Sequence, residues 1–453
     1  MMIRIALSVV IPWTLLVVLA FSSPLQEYEN RRTFRNSEPV VDLGYAKYQG
    51  STDPSTNISS FLSIRYAAPP IGSLRFQAPQ APAKMNGVQM ATSVPPQCYQ
   101  AGGGTSQTNP FIRNPPLSRK RGIIQTSEDC LFLDVFVPDI ETADGLHVVV
   151  FIHGGGYQQG NIGSYPQADL VTDSQNHAIA VFMQYRLGAF GKVRQLSQAS
   201  TYFKNIAGFL AGPSMAKSGA LNAGLLDQDF ALQWVQQHIR LFGGNPAKVT
   251  IWGESGGAGS VLQHIVAHGG RTDPPRFRAA ITSSVALLPQ YAADDPIPTF
   301  LYDQMTNLTN CSNAVDTFAC LIAVDADALN NANNAVTSSA FYETYVFVPV
   351  VDGTFIVERP TITMDRQVVN GDVLLSVTNT FEGSTFTLPS ETNTTDFVRQ
   401  MFPFLTAKQI DTAASYYTAL NTTLPTVLNQ SIAVMGECSH VSLMARYCRL
   451  LLK

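Results

Sequence analysis

Residues 248–257 read Lys248-Val249-Thr250-Ile251-Trp252-Gly253-Glu254-Ser255-Gly256-Gly257, and the following residues Ala258 to His268 carry apolar side chains at helical spacing. A short strand, a serine boxed in by glycines and a helix make a strand–turn–helix. Reversing from strand to helix through one residue forces that residue into a strained backbone conformation, and its neighbours must be small for the two elements to close up. Ser255 is then left exposed at a helix N-terminus, where the dipole favours developing negative charge. That placement suits a nucleophile. A glycine-rich turn with an incidental serine would look the same in isolation, so the flanking sequence has to decide.

Upstream, Leu232, Val235, Ile239 and Phe242 form one helical stripe within 225–242, and Gly243-Gly244 stops it. Further back, Val148 to Ile152 and Ala178 to Met183 are almost wholly apolar, as strands buried on both faces of a parallel sheet are. Leu131 to Val137 adds a strand, and Phe277 to Ser283 and Val373 to Thr378 predict two more. Residues 406–420 and 430–452 read as helices, while 39–75 alternates apolar residues with turn formers, as short antiparallel strands and a Pro-rich connection do. Strand and helix in alternation predict an α/β fold: a central, mostly parallel sheet with helices on both faces. There is no internal repeat. Length alone would allow about three domains, but the motifs spread over the whole chain and predict one domain from residue 23 to 453.

A second glycine cluster, His153-Gly154-Gly155-Gly156-Tyr157, follows the strand 148–152. Three glycines after a buried strand let backbone N–H groups converge on one point, where they can hold an oxyanion. His153 itself reads as a packed strand-end residue. A His-Gly-Gly-Gly turn upstream of a Gly-x-Ser-x-Gly turn is far more specific than either alone.

Composition narrows the setting. Lys and Arg number 29 against 33 Asp and Glu, and only 14% of residues are charged, with no basic stripe. Nucleic acid is excluded as an expected partner. Met1 to Ser22 carries Arg4, an apolar stretch and a small-residue exit, which predicts a secretory signal peptide; Pro12 and that exit weigh against a stable membrane anchor. Six Asn-x-Ser/Thr sequons stand at Asn57, Asn307, Asn310, Asn393, Asn421 and Asn429. Six cysteines contain no Cys-x-x-Cys pair, so oxidised pairs are expected and no metal site is. Cys311 with Cys320 would staple a short loop and Cys98 with Cys130 a longer one. Cys438 and Cys448, if on one helix, would lie about 15 Å apart, beyond the ~7 Å a disulfide spans. Residues 99–122 form a Gly-, Ser-, Asn- and Pro-rich loop holding Arg119-Lys120-Arg121, either a lid or a surface excursion.

The ordered motifs Ile64-Arg65-Tyr66-Ala67-Ala68-Pro69-Pro70-Ile71-Gly72, Ser127-Glu128-Asp129-Cys130-Leu131, Tyr185-Arg186-Leu187-Gly188, Phe242-Gly243-Gly244-Asn245-Pro246, the Ser255 turn and Val348-Pro349-Val350-Val351-Asp352-Gly353 together resemble the type-B carboxylesterase family of α/β hydrolases. That family includes cholinesterases and secreted fungal lipases, and the style is most similar to its extracellular fungal members. The resemblance implies the α/β-hydrolase fold and ester hydrolysis with no metal or organic cofactor. It implies Ser255 as nucleophile, Gly155, Gly156 and Gly256 as the oxyanion hole, Glu382 in Thr380-Phe381-Glu382-Gly383 as triad acid, and disulfides Cys98–Cys130 and Cys311–Cys320. Family members usually carry Ala at position 256; Gly keeps the donor and frees the turn. In lipase-like members the first disulfide loop carries a lid.

Chain order in this fold is Ser, then acid, then His. The one histidine after Glu382 is His440, in a segment that resembles a helix the family places before its histidine loop. The family's histidine loop and last strand would fall beyond Lys453. The expectation is a C-terminally truncated domain without its base, and a poor catalyst as it stands. Two rivals remain at this stage: an inactive fragment, and a cholinesterase-like binding or adhesion protein, which typically loses the serine that this chain keeps. The expected partner is a small-molecule or lipid ester. A polar 99–122 loop with only Phe111, Ile112 and Leu117 leans toward soluble esters.

Overall fold

The computed structural model describes residues 38–110, 126–189 and 208–437, with backbone also at 32–33, 191–192 and 205–206. The signal-like start, the basic cluster at 119–121, Cys438, His440 and Cys448 lie outside the described residues.

Eight strands form the central sheet: β1 (Ser51–Asp53), β2 (Ile58–Arg65), β3 (Phe132–Pro138), β4 (Leu146–Ile152), β5 (Ala178–Met183), β6 (Gly244–Glu254), β7 (Ala279–Ser283) and β8 (Val373–Val377). Their spatial order is β1-β2-β3-β5-β4-β6-β7-β8. From β5 through β8 every pairing is parallel. From β1 to β3, and between β3 and β5, pairing is antiparallel. The sheet is thus mixed, parallel in the half built from the near-continuous apolar runs. All six residues of β5 are buried, which its unbroken Ala-Ile-Ala-Val-Phe-Met run requires.

The two faces carry separate cores. Val148, Val150, Ile152, Val249 and Ile251 belong to the larger one, with residues of α2 (Ala223–His238) and α3 (Gly256–Gly270). Phe136, Phe151, Ala180 and Phe182 point the other way, packing with Val171 of α1 (Gln167–Asp173). The period of two along each strand separates the two sets. α2 ends sooner than its stripe predicts: Ile239–Phe242 tightens into a 3₁₀ turn, closed by Gly243 at φ 90°. Beyond the sheet stand α4 (Thr394–Met401), α5 (Ala407–Thr418) and α6 (Val427–Gly436).

Register does the positioning. Ile152 of β4 lies opposite Gly253 of β6, Glu254 opposite Ser283 of β7, and Ser283 opposite Val377 of β8. The turns after all four strands therefore emerge side by side at the carboxyl edge of the parallel half, where open α/β sheets place their ligands. Both expected disulfides are present, Cys98–Cys130 with Cα atoms 5.1 Å apart and Cys311–Cys320 with 5.6 Å.

Candidate active site

Ser255 sits at φ 54°, ψ −122°, between the end of β6 and the start of α3. An L-residue reaches such angles only when its surroundings impose them. Three contacts do so. The Ser255 N–H donates to Ser283 O at 2.9 Å, and Ser255 O accepts from Gly259 N at 2.9 Å and Ala286 N at 3.2 Å. The flanking glycines are needed because a Cβ at Gly253 would strike the Gly257 carbonyl, and one at Gly257 the Ile152 carbonyl.

The turn after β4 closes on this elbow. Gly155 (φ 105°) and Gly156 (φ 59°) adopt angles that favour glycine, and Gly155 O accepts from both Gln158 N and Gln159 N at 3.0 Å. A Cβ built on Gly256 would stand 2.8 Å from Gly156 N and 3.1 Å from its Cα. The room left by Gly256 is therefore taken up by the neighbouring turn rather than left loose. Gly156 and Gly256 lie against one another beside Ser255, with Gly155 the residue before Gly156.

Ser255 and Gly156 line a cavity of about 140 Å³ walled mainly by apolar side chains, among them Leu287, Leu288, Tyr345, Val346, Phe386, Met401, Phe402 and Met435. A larger open hollow of about 710 Å³, around α5 and Glu437, contains none of the predicted site residues. The start of the 99–122 loop docks on α4, where Asn109 donates from its backbone to Gln400 Oε1 and from its side chain to Gln400 O, both at 2.7 Å. Residues 111–125 lie outside the described set.

Glu382 occupies the turn after β8. Its Oε1 accepts from Thr378 Oγ1 at 2.8 Å and from Asn379 N at 2.7 Å, and the Asn379 side chain reaches Ser284 Oγ at 3.0 Å. The acid is thereby fixed to its own turn and tied to the turn after β7. Its charge is felt by Glu254, whose carboxyl is raised above its ordinary range, chiefly by burial, with Glu382 adding to the rise and a hydrogen bond from Tyr165 opposing it. Tyr165 links two parts of the site. Its hydroxyl accepts from Gly154 N at 3.1 Å and donates to Glu254 Oε2 at 3.4 Å. Nothing in the sequence marks this residue, which lies 89 positions from its partner in the elbow.

Five of the six described histidines make contacts of their own. His153 is buried, stacks on Tyr185 at 4.4 Å between ring centroids, and meets Gly154 O through Nδ1 at 2.9 Å. A carbonyl only accepts, so Nδ1 carries the proton, and burial pushes the group down to about 4. This is the packed strand-end residue the sequence predicts. His264 meets Gln228, His268 meets Thr354 O, and His177 meets Ser174 O. His238 packs on Tyr45 and Trp234, and His147 is exposed at the start of β4. Among the described residues no cluster of metal-ligating side chains occurs, and no helix is long and apolar enough to cross a membrane.

Comparison with known proteins places the chain in a family. The chain is 34% identical to lipase 4 of Diutina rugosa over 379 residues, covering 79% of this chain and 66% of that protein. It is 30% identical to secreted lipase 1 of Botryotinia fuckeliana over 372 residues, covering 78% of this chain and 62% of that one. The chain thus spans less than two thirds of the length of these relatives. The crystal structure of Aspergillus niger EstA superposes with a TM-score of 0.74 at 30% identity, over 92% of this chain and 75% of that one. Residues 37–433 match the model of the carboxylesterase family, and the chain belongs to that family.

Proposed function

We propose that this protein hydrolyses carboxylic esters through an acyl intermediate on Ser255. In this reading Ser255 Oγ attacks the ester carbonyl carbon and its proton passes to a histidine base. The tetrahedral oxyanion rests on the N–H groups of Gly155, Gly156 and Gly256. The C–O bond to the alcohol then breaks as the base returns the proton to the leaving oxygen, and water repeats the sequence on the acyl-serine. Glu382 orients the base and stabilises its cationic form. The observation that carries the reading is the strained backbone of Ser255 set against Gly156 at the wall of an apolar cavity. The cavity lining suits an apolar acyl group, and two of the similar proteins are named lipases.

His440, outside the described residues, is the one histidine this sequence offers after Glu382, and it is tested against the expectation of a chain that lacks its base. Labelling with a fluorophosphonate probe and turnover of a p-nitrophenyl ester test the proposal on the native chain, on Ser255→Ala and on His440→Ala. Labelling and turnover that vanish in Ser255→Ala support it; labelling unaffected by Ser255→Ala sinks it. Loss of turnover in His440→Ala makes His440 the base, and survival assigns the role to another group.

The same reading makes the protein a secreted glycoprotein, with residues 1–22 as a cleaved signal peptide and one catalytic domain after it. One similar protein is named as secreted, and Asn57, Asn307, Asn310, Asn393 and Asn421 are exposed. Expression in a eukaryotic secretory host should give a medium-borne product starting near Ser23 that shrinks on endoglycosidase treatment. An intracellular product of unchanged mobility contradicts it.

A further inference from the structure

The residue after the oxyanion glycines is a tyrosine with a buried polar anchor. Tyr157 adopts φ 64° and is 1% exposed. Its side chain runs to α3, where the hydroxyl lies over Gly259, beside Ser260. It fits there because position 259 is glycine: a Cβ on Gly259 would stand 2.5 Å from the Tyr157 hydroxyl. Ser260 is held in turn. Its Oγ accepts from Gln228 Nε2 at 3.0 Å, and Gln228 Oε1 meets His264 Nε2 at 3.1 Å.

The roles from His264 to Ser260 follow from the partners. An amide oxygen only accepts, so His264 carries its proton on Nε2 and donates it. Gln228 then presents its NH₂ group to Ser260, whose hydroxyl keeps one hydrogen and one lone pair with which to meet the Tyr157 hydroxyl. Tyr157, Ser260, Gln228 and His264 are all buried, and a fully connected buried network specifies one arrangement of the elements it joins. The elements joined here are the oxyanion turn and the helix that begins at Gly256.

We infer that Tyr157 is a positioning residue for the oxyanion hole, clamping Gly156 to the nucleophile helix through Ser260. The inference rests on Ser255 being the nucleophile. Donors act on a developing oxyanion only when held at the right distance before the charge appears. The Tyr157 backbone carries that constraint directly, since it is the next residue to Gly156 and its carbonyl accepts from Gly188 N at 2.7 Å. The hydroxyl supplies a second fixed point on the opposite side of the turn.

The test uses the full chain carrying Tyr157→Phe, Ser260→Ala, or both. Three measurements are made: p-nitrophenyl ester kinetics, the rate of fluorophosphonate labelling, and amide hydrogen exchange of the peptide spanning 153–159. Each single variant should lower kcat and the labelling rate about tenfold with KM within twofold. Exchange at 153–159 should rise at least tenfold, and the double variant should be no worse than either single one. Unchanged exchange at 153–159 in Tyr157→Phe overturns the inference whether or not the chain turns over ester. So does a lower melting temperature with kcat and labelling intact, or effects of the two substitutions that simply multiply. Wild-type protein with no labelling at Ser255 would instead remove the ester-hydrolase reading, leaving the exchange measurement to decide the clamp.

Discussion

The turns carrying the proposed nucleophile and acid leave neighbouring parts of one sheet edge, but they are held very differently. The Ser255 elbow follows β6, which is paired on both sides, and glycines at 253, 256 and 257 let surrounding backbone close on it without room for a methyl group. The Glu382 turn follows β8, which pairs with β7 alone among the described residues. Val373, Leu375 and Val377 of β8 are each more than half exposed, and Phe381 is 70% exposed. Three hydrogen bonds to Glu382 Oε1, from Thr378 Oγ1 and from the backbone and side chain of Asn379, hold that acid in its own turn. Function at the first turn is therefore inseparable from folding. At the second, Gly383 packs its backbone against Ile432 of α6, while the carboxylate itself is held by polar contacts alone.

The largest expected effect follows from the first half of that contrast. Gly257→Ala would drive a methyl group into the Ile152 carbonyl, backbone against backbone, with a cost on the order of 3 kcal/mol or more. Stability and ester hydrolysis should disappear together, read as loss of soluble protein or a melting temperature lowered by several degrees. A soluble, normally stable and active Gly257→Ala protein would show that the elbow is less constrained than its contacts require.

Glu382→Gln should behave in the opposite way. An amide in place of the carboxylate keeps the shape of the turn but removes the charge that stabilises an imidazolium. The loss in kcat should be on the order of 10⁴-fold, the scale found for triad acids. Thermal unfolding should shift by no more than a degree or two. A comparable loss of stability would mean that the acid is structural, and full activity would move the triad acid elsewhere.

Gly256→Ala sharpens the comparison at finer scale. Related proteins are expected to carry alanine at this place, yet here the added Cβ would meet Gly156 N at 2.8 Å. The oxyanion turn would have to withdraw by a few tenths of an ångström. A loss in kcat of about tenfold with KM nearly unchanged is expected, because donors displaced from the oxyanion lose transition-state stabilisation. A gain in kcat would show that the turn sits too close in the native chain.

The same contrast explains what could be read from the sequence. Ser255, Gly155 and Gly156 were legible because strand-to-helix and strand-to-loop reversals demand small residues locally, and the demand is written within a few positions. The buried strands announced themselves as unbroken apolar runs. β6 runs further than its apolar core Val249–Ile251 suggests, from Gly244 to Glu254: at its start Gly244 pairs with Leu146 across a register shift, and at its end Trp252 and Gly253 pair on both edges. Glu382 carried no local signal, since a lone carboxylate in a turn is ordinarily solvated, and only the family resemblance pointed to it. Tyr165 and the Tyr157–Ser260 contact were invisible, because contacts between residues about 90 to 100 positions apart leave no periodicity.

The smallest effect concerns pH, and it separates the two carboxylates. Burial raises Glu254 above its ordinary value of 4.5, the Tyr165 hydrogen bond pulls it back, and Glu382 raises it again. An acid whose folded pKa exceeds its unfolded one binds more protons when folded, so stability falls as pH rises from the unfolded value through the folded one. The penalty is absent below about pH 4.5 and complete above the folded pKa. Glu254→Gln should therefore melt slightly above the native chain at pH 8, with the gap closing as pH falls below 4.5; partial exposure keeps the gap small. Glu382→Gln should give a related but weaker shift, by removing the neighbouring charge that lifts Glu254. Melting curves from pH 4 to 8 decide the matter. A Glu254→Gln protein less stable than the native chain at pH 8 would mean that the hydrogen bond from Tyr165 to an ionised Glu254 outweighs the cost of burying its charge.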